Sequence, residues 1–185
     1  MKKKIIAVAL LSVMSVSAFA DDAGFFLGLD YSALTLGNLT TVVNANATQP
    51  SGGYRIDGGY NFNKNWGVEL GYFGNGNASD GAGNTLTPNT TYVAGVGTFP
   101  LNDMFDVFGK VGVAMNQLTG AAVATCTVCG VQTGVMYGVG ADFNFNKQVG
   151  LRLQYESLGN MMGTDPVSGS QITASDVSLG VMFKF

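Results

Sequence analysis

The chain contains no histidine. A Ser-His-Asp arrangement is therefore impossible. Cysteine occurs only twice, at 126 and 129, so a zinc site would want two further ligands and has no imidazole to supply them. Charged residues make up only 11% of the chain. Beyond residue 20 no apolar run is long enough for a membrane-spanning helix. A mature chain lodged in a membrane would have to be a closed barrel, because lipid offers no partner to an open sheet edge.

What is present begins with an export signal. Lys2, Lys3 and Lys4 form a basic start, Ile5 to Val16 a mostly apolar stretch, and Ala18-Phe19-Ala20 an A-x-A cleavage site. Residues 1–20 read as a cleavable signal peptide and 21–185 as one domain of 165 residues. The residue directly after the cleavage site is Asp21 and not a cysteine, which argues against a lipoprotein. The mature part holds six basic and twelve acidic residues, a formal charge of −6. That balance argues against nucleic acid as a partner. Glycine is frequent, yet 19 aromatics beyond residue 20 and regular alternation argue for ordered strands.

The alternation is clearest in a hairpin used twice. Residues 59–72 read GYNFNKNWGVELGY and residues 142–155 read DFNFNKQVGLRLQY. After each Asn-Lys tip, Val68, Leu70 and Tyr72, or Leu151, Leu153 and Tyr155, occupy every second position. Period two means a strand with two unlike faces. The pattern predicts an all-β, eight-stranded antiparallel up-and-down transmembrane β-barrel. Its strands fall near 24–34, 52–62, 66–74, 90–99, 105–117, 133–145, 149–158 and 173–185. Connections alternate long and short, as in bacterial outer-membrane barrels with short periplasmic turns and long external loops. About ten tilted residues cover the roughly 25 Å apolar band. Trp66, Phe62, Phe145, Phe183, Phe185 and Phe25 fall near the turn ends, and Tyr31, Tyr54, Tyr72 and Tyr155 near the loop ends, as two interfacial belts.

Strand four is ambiguous. Either Phe99 faces lipid together with Gly95 and Gly97, or Tyr92, Ala94 and Val96 do, with a bulge as a way to switch phase. A soluble lipocalin-type barrel shares the period but inverts the faces. The C-terminus and the scarcity of ionisable groups on the apolar face favour the membrane form.

At the C-terminus, Ser178-Leu179-Gly180-Val181-Met182-Phe183-Lys184-Phe185 resembles the terminal signal of outer-membrane proteins. The resemblance assigns Gly180, Phe183 and Phe185 to recognition by the outer-membrane assembly machinery. The mature chain is similar to the OmpA-type eight-stranded domain and to small outer-membrane surface barrels. That resemblance implies a Gram-negative outer membrane, with membrane lipid and lipopolysaccharide around the barrel. Gly67-Val68-Glu69-Leu70-Gly71-Tyr72 resembles the family's third strand with its inward Glu, and Leu151-Arg152-Leu153-Gln154-Tyr155 its seventh with an inward Arg. Asp30 stands where a basic residue is expected, and the chain stops at Phe185 without a peptidoglycan-binding domain. Outer-membrane barrel enzymes of the deacylase, palmitoyltransferase, phospholipase and omptin types use a His, so their mechanisms do not transfer.

The inward face should carry Asp30, Arg55, Asp57, Glu69, Lys110, Asp142, Arg152 and Glu156, with Asp176 and Lys184. An eight-stranded lumen is just wide enough for side chains to fill. Such charges read as a structural salt-bridge core, as a gate across a narrow path, or, with nothing specific behind it, as a catalytic carboxylate pair. Gly112, Ala114, Gly138 and Gly140 leave inner volume that water could occupy. Cys126-Thr127-Val128-Cys129 reads as a small disulfide formed in the periplasm, since no helix is indicated to activate a thiol. Loops rich in Asn, Thr, Ser and Gly offer a surface for host or surface ligands. No catalytic residue, metal site or cofactor is expected.

Overall fold

The computed structural model describes residues 23–42, 45–79, 81, 83–120, 130–161 and 171–185. The expected signal peptide and the Cys126 and Cys129 pair lie outside them. Eight strands form the barrel: β1 Gly24–Gly37, β2 Gly53–Asn61, β3 Trp66–Gly74, β4 Thr85–Pro100, β5 Phe105–Thr119, β6 Val131–Asn144, β7 Val149–Asn160 and β8 Thr173–Lys184. Each pairs antiparallel with the next, and β8 returns to β1 along the run from Phe26–Lys184 to Gly37–Thr173. The sheet has no free edge, so every strand finds backbone partners on both sides.

Alternation decides the two faces. On β1, Phe25, Leu29 and Tyr31 point out while Phe26, Asp30 and Ser32 are buried inside. The same phase runs round the barrel, through Leu70, Val93, Val111, Val139, Leu153 and Leu179. Among the described strand residues, no Asp, Glu, Lys or Arg points outward. A soluble barrel would show the reverse, and the lipocalin-type reading is excluded on this ground.

β4 takes the first of its two candidate phases. Tyr92, Ala94 and Val96 are buried in the lumen, and Val93 and Phe99 face out with Gly95 and Gly97 between them. Its pairing with β3 and β5 runs without a register shift, so no bulge is used. The apolar surface that Gly97 lacks is supplied from next door. Trp66 pairs with Gly97, and its ring lies 3.2 Å from where a Cβ would stand. β4 also begins at Thr85 rather than near 90, which shortens the second long connection.

The three short turns share one geometry. Asn63, Asn102 and Asn146 each accept two backbone N–H bonds through Oδ1, at 2.8–3.0 Å. Phe62, Leu101 and Phe145 close each turn by donating N–H to the first residue of the next strand at 2.9–3.0 Å. The hairpin seen twice in the sequence thus has a third relative at Leu101-Asn102, built by the same Asn side-chain capture.

At the loop end the strands overshoot. β1 runs three residues past the expected Leu34. A short ladder continues the wall there: Ala78–Ser79 pairs with Thr85 and Leu86, and Thr48 bridges to Ser79. Gln49 satisfies the Leu36 backbone by donating to its carbonyl at 2.9 Å and accepting from its N–H at 2.7 Å.

Candidate functional site

The eight lumen residues named from the sequence come from six strands, and none is more than 6% exposed. Asp30 sits on β1, Arg55 and Asp57 on β2, Glu69 on β3, Lys110 on β5, Asp142 on β6, and Arg152 and Glu156 on β7. Each falls on the inward phase of its strand.

Three cations organise them. Arg55 donates through Nε to Asp57 at 3.0 Å, through Nη1 to Glu156 at 3.1 Å, and through Nη2 to Asp30. Arg152 grips Asp142 with a two-pronged contact at 2.8 and 2.9 Å, the fork geometry suited to a carboxylate, and reaches Glu69 at 2.9 Å. Lys110 lies 2.5 Å from Glu69 and 2.7 Å from Glu156. Glu69 and Glu156 therefore join the three cation clusters into one network.

The network has members the sequence reading missed. Tyr92 donates its hydroxyl to Glu69 at 2.5 Å. It could not be assigned while the phase of β4 was open. Arg152 lies over Phe108 at 4.5 Å and Phe26 at 5.4 Å, and Arg55 over Phe73 at 5.6 Å. Phe26 and Phe108 sit in the inward phase between polar neighbours, which was their only signal. Ring faces there satisfy cation charge that carboxylates do not reach. Ser32 donates to Asp176 on β8. With Tyr92 and Asp176 included, all eight strands contribute.

Lys184 stands apart from the central network. It donates to Asn144 at 2.9 Å near the turn end and lies 3.9 Å from Asp106. In the terminal motif, Gly180 is packed against the Asp30 carboxylate and the Leu29 backbone, so a side chain would not fit. Phe183 faces outward at half exposure, and the Phe185 N–H donates to the Phe25 carbonyl at 2.8 Å, fixing the chain end to β1.

The two ends of the lumen differ. At the turn end a vestibule of about 1150 Å³ opens between Lys64, Asn102, Asn146 and Lys184, and reaches Asp142 and Arg152 at its floor. At the loop end the lumen is apolar. Leu34, Leu36, Leu39, Phe73, Leu86, Leu118, Met136, Leu158, Met161 and Ile172 form a buried apolar cluster. A bulge between Ser157 and Gly159, with Gly159 at φ +76°, leaves Leu158 without a cross-strand partner and fully buried in that cluster. Asn116 is the polar tie within it, donating to the Leu158 and Asn160 carbonyls and accepting from Thr90.

The small residues of β5 and β6 do not leave the water space expected of them. A Cβ at Gly138 would stand 2.7 Å from Glu156, and one at Gly140 would stand 2.8 Å from Gln154. One at Gly112 would lie 2.8 Å from the Ala94 side chain, and Ala114 is fully buried. The glycines make room for large side chains of neighbouring strands.

A closed eight-stranded barrel, uncharged and apolar outside and filled inside by paired charges, is a transmembrane β-barrel of the outer-membrane type. The family model for the outer membrane protein beta-barrel domain matches residues 6–185, and the chain belongs to that family. No curated protein sequence matches it significantly. Among solved structures it is similar to Neisserial surface protein A, with 16% identity and a TM-score of 0.64 over 88% of this chain and 99% of that one. It is similar also to Ail, the attachment invasion locus protein of Yersinia pestis, crystallised with the heparin analogue sucrose octasulfate. There the identity is 15% and the TM-score 0.54, over 89% of this chain and 98% of that one. The N-terminal barrel domain of Pseudomonas aeruginosa OprF gives 13% and 0.51 over 86% and 97%. At these identities the likeness is one of fold.

Proposed function

We propose that this outer-membrane barrel is closed and non-conducting, with no enzymatic task, and serves as a rigid wall element that holds its loop end out for surface contacts. An even number of strands puts both chain ends on one side, and the turn end is assigned to the periplasm. The observation that carries the reading is the double closure of the lumen. Ion pairs contributed by six of the eight strands cross its middle, and a buried apolar cluster seals it beyond. Water or ions moving through would have to break the first and wet the second.

The test is conductance of the refolded mature protein in a planar bilayer, with folding confirmed by heat-modifiable gel mobility. A silent membrane is expected, both for the wild type and for Arg152→Ala, because the apolar seal remains. Steady single-channel steps in the wild type would refute the reading. Steps that appear only in Arg152→Ala would favour the second reading, a narrow pore gated by lumen charges. The vestibule gives that alternative its footing, since it reaches Arg152 from the turn end.

The loop end is the candidate surface for host or surface ligands. Ail was crystallised with a sulfated heparin analogue. In the present chain the connecting segments 38–52, 75–84, 120–130 and 161–172 contain no Lys or Arg and include Asp80 and Asp165. A sulfated polyanion would meet no cation there. Neutral or basic partners, held through Asn, Thr and Ser hydrogen bonds, fit this composition. Loop deletions that leave the barrel folded should abolish binding to such a partner.

A further inference from the structure

The lumen is not balanced in charge. Asp30, Asp57, Glu69, Asp142, Glu156 and Asp176 are buried there against only Arg55, Lys110 and Arg152. Among the described residues, no cation pairs with Asp176. One of its oxygens accepts the Ser32 hydroxyl and the other, Oδ2, has no partner. An unpaired buried carboxylate is costly unless something neutralises it.

Most of the unpartnered buried atoms among the described residues gather on the same wall, those of Asp57 and Asn75 lying elsewhere. Gln154, only 2% exposed, has neither its amide oxygen nor its amide nitrogen bonded, and Ser178, 1% exposed, holds its hydroxyl beside the Asp176 carboxylate without a well-formed hydrogen bond. Gln154 on β7 lies directly opposite Ser178 on β8, and Ser178 lies opposite Ser32 on β1. Asp176 is one inward position along β8 from Ser178, and Asp30, whose Oδ1 is also unpartnered, is one inward position along β1 from Ser32. Buried polar side chains are nearly always bonded, so several unsatisfied atoms together point to a ligand.

We propose that this wall binds a monovalent alkali cation, sodium or potassium. The ligands would be the Asp176 carboxylate, the Gln154 amide oxygen and the Ser178 hydroxyl, with Asp30 facing them. The donor set is all oxygen, as a hard cation requires. It is too poor in carboxylate for calcium, which takes six to eight oxygens and usually several acidic ligands. The site adds one positive charge where the built-in cations fall short.

The experiment is thermal unfolding of the mature protein in a zwitterionic detergent, followed by circular dichroism. Sodium, potassium and N-methylglucamine chlorides are compared at one ionic strength and one pH. The large organic cation is too big to be coordinated by this buried donor set. The expected result is an unfolding midpoint several degrees higher in sodium or potassium, rising with their concentration. Gln154→Met should fold and lose that difference, since it removes a ligand without breaking an existing hydrogen bond, and Ser178→Ala should lose it as well. Equal midpoints in all three salts would overturn the proposal and leave ordered water or a proton as the partner of these atoms. A salt difference that persists in both variants would overturn it too, because the cation would then sit elsewhere. If a variant fails to fold, the wild-type comparison still decides.

Discussion

Removing Arg55 is the sharpest test of the lumen network. Its guanidinium is fully buried and serves three carboxylates on three strands. In Arg55→Met the side-chain volume is nearly kept, so the loss is electrostatic. Glu156 retains Lys110 at 2.7 Å, and Asp57 retains only Arg152 at 4.0 Å. Asp30 is left with no cation. Breaking a buried pair from one side costs about 3–5 kcal/mol, because the abandoned charge stays buried. Most of that cost falls on Asp30. With a urea slope of about 2 kcal/mol/M, the midpoint should drop on the order of 2 M. Equilibrium unfolding in lipid vesicles measures this. Adding Asp30→Asn should recover part of the loss by removing the stranded charge. The exposed turn-tip variant Lys64→Met serves as control and should leave the midpoint where it is. A change in Arg55→Met below about 1 kcal/mol would refute the reasoning, since values that small belong to ion pairs open to water.

The remaining expectations are simpler to state. Phe73→Ala removes a fully buried ring that packs against Tyr92 at 5.6 Å and lies under Arg55, and should cost about 3–5 kcal/mol in the same assay. Val111→Arg places a charge on the lipid face of β5 and should cost about 2–4 kcal/mol if it lies near the bilayer midplane, measured in vesicles. A much smaller penalty would mean that this face is not in lipid. Cys126 and Cys129 should resist a thiol reagent on intact oxidised cells and label after reduction. Labelling before reduction would dismiss the disulfide.

The faces of every strand but β4 were legible because they are local. A side chain's side is set by its parity, and a slip of one residue would invert the whole strand. So Asp30, Arg55, Glu69 and Arg152 could be placed inside from the sequence alone. The Asn turns were legible for the same reason, since each captures backbone two and three residues on. β4 was not, because Gly95 and Gly97 carry no side chain to declare a face. Its phase became clear only beside β3, where Trp66 covers Gly97.

The sequence by itself determined the strand count, the apolar exterior, the charged interior and the membrane setting, since all follow from period-two patterning and composition. The tertiary structure alone decided which charges meet. Arg55 finds Glu156 across 101 residues, and Arg152 finds Glu69 across 83. Barrel closure sets those pairings through the stagger of eight strands, which no local pattern encodes. It also decided that the loop end is sealed. Leu34, Leu86, Met136 and Leu158 are unremarkable apart, and become one buried cluster only when the closed sheet brings four distant strands to the same height.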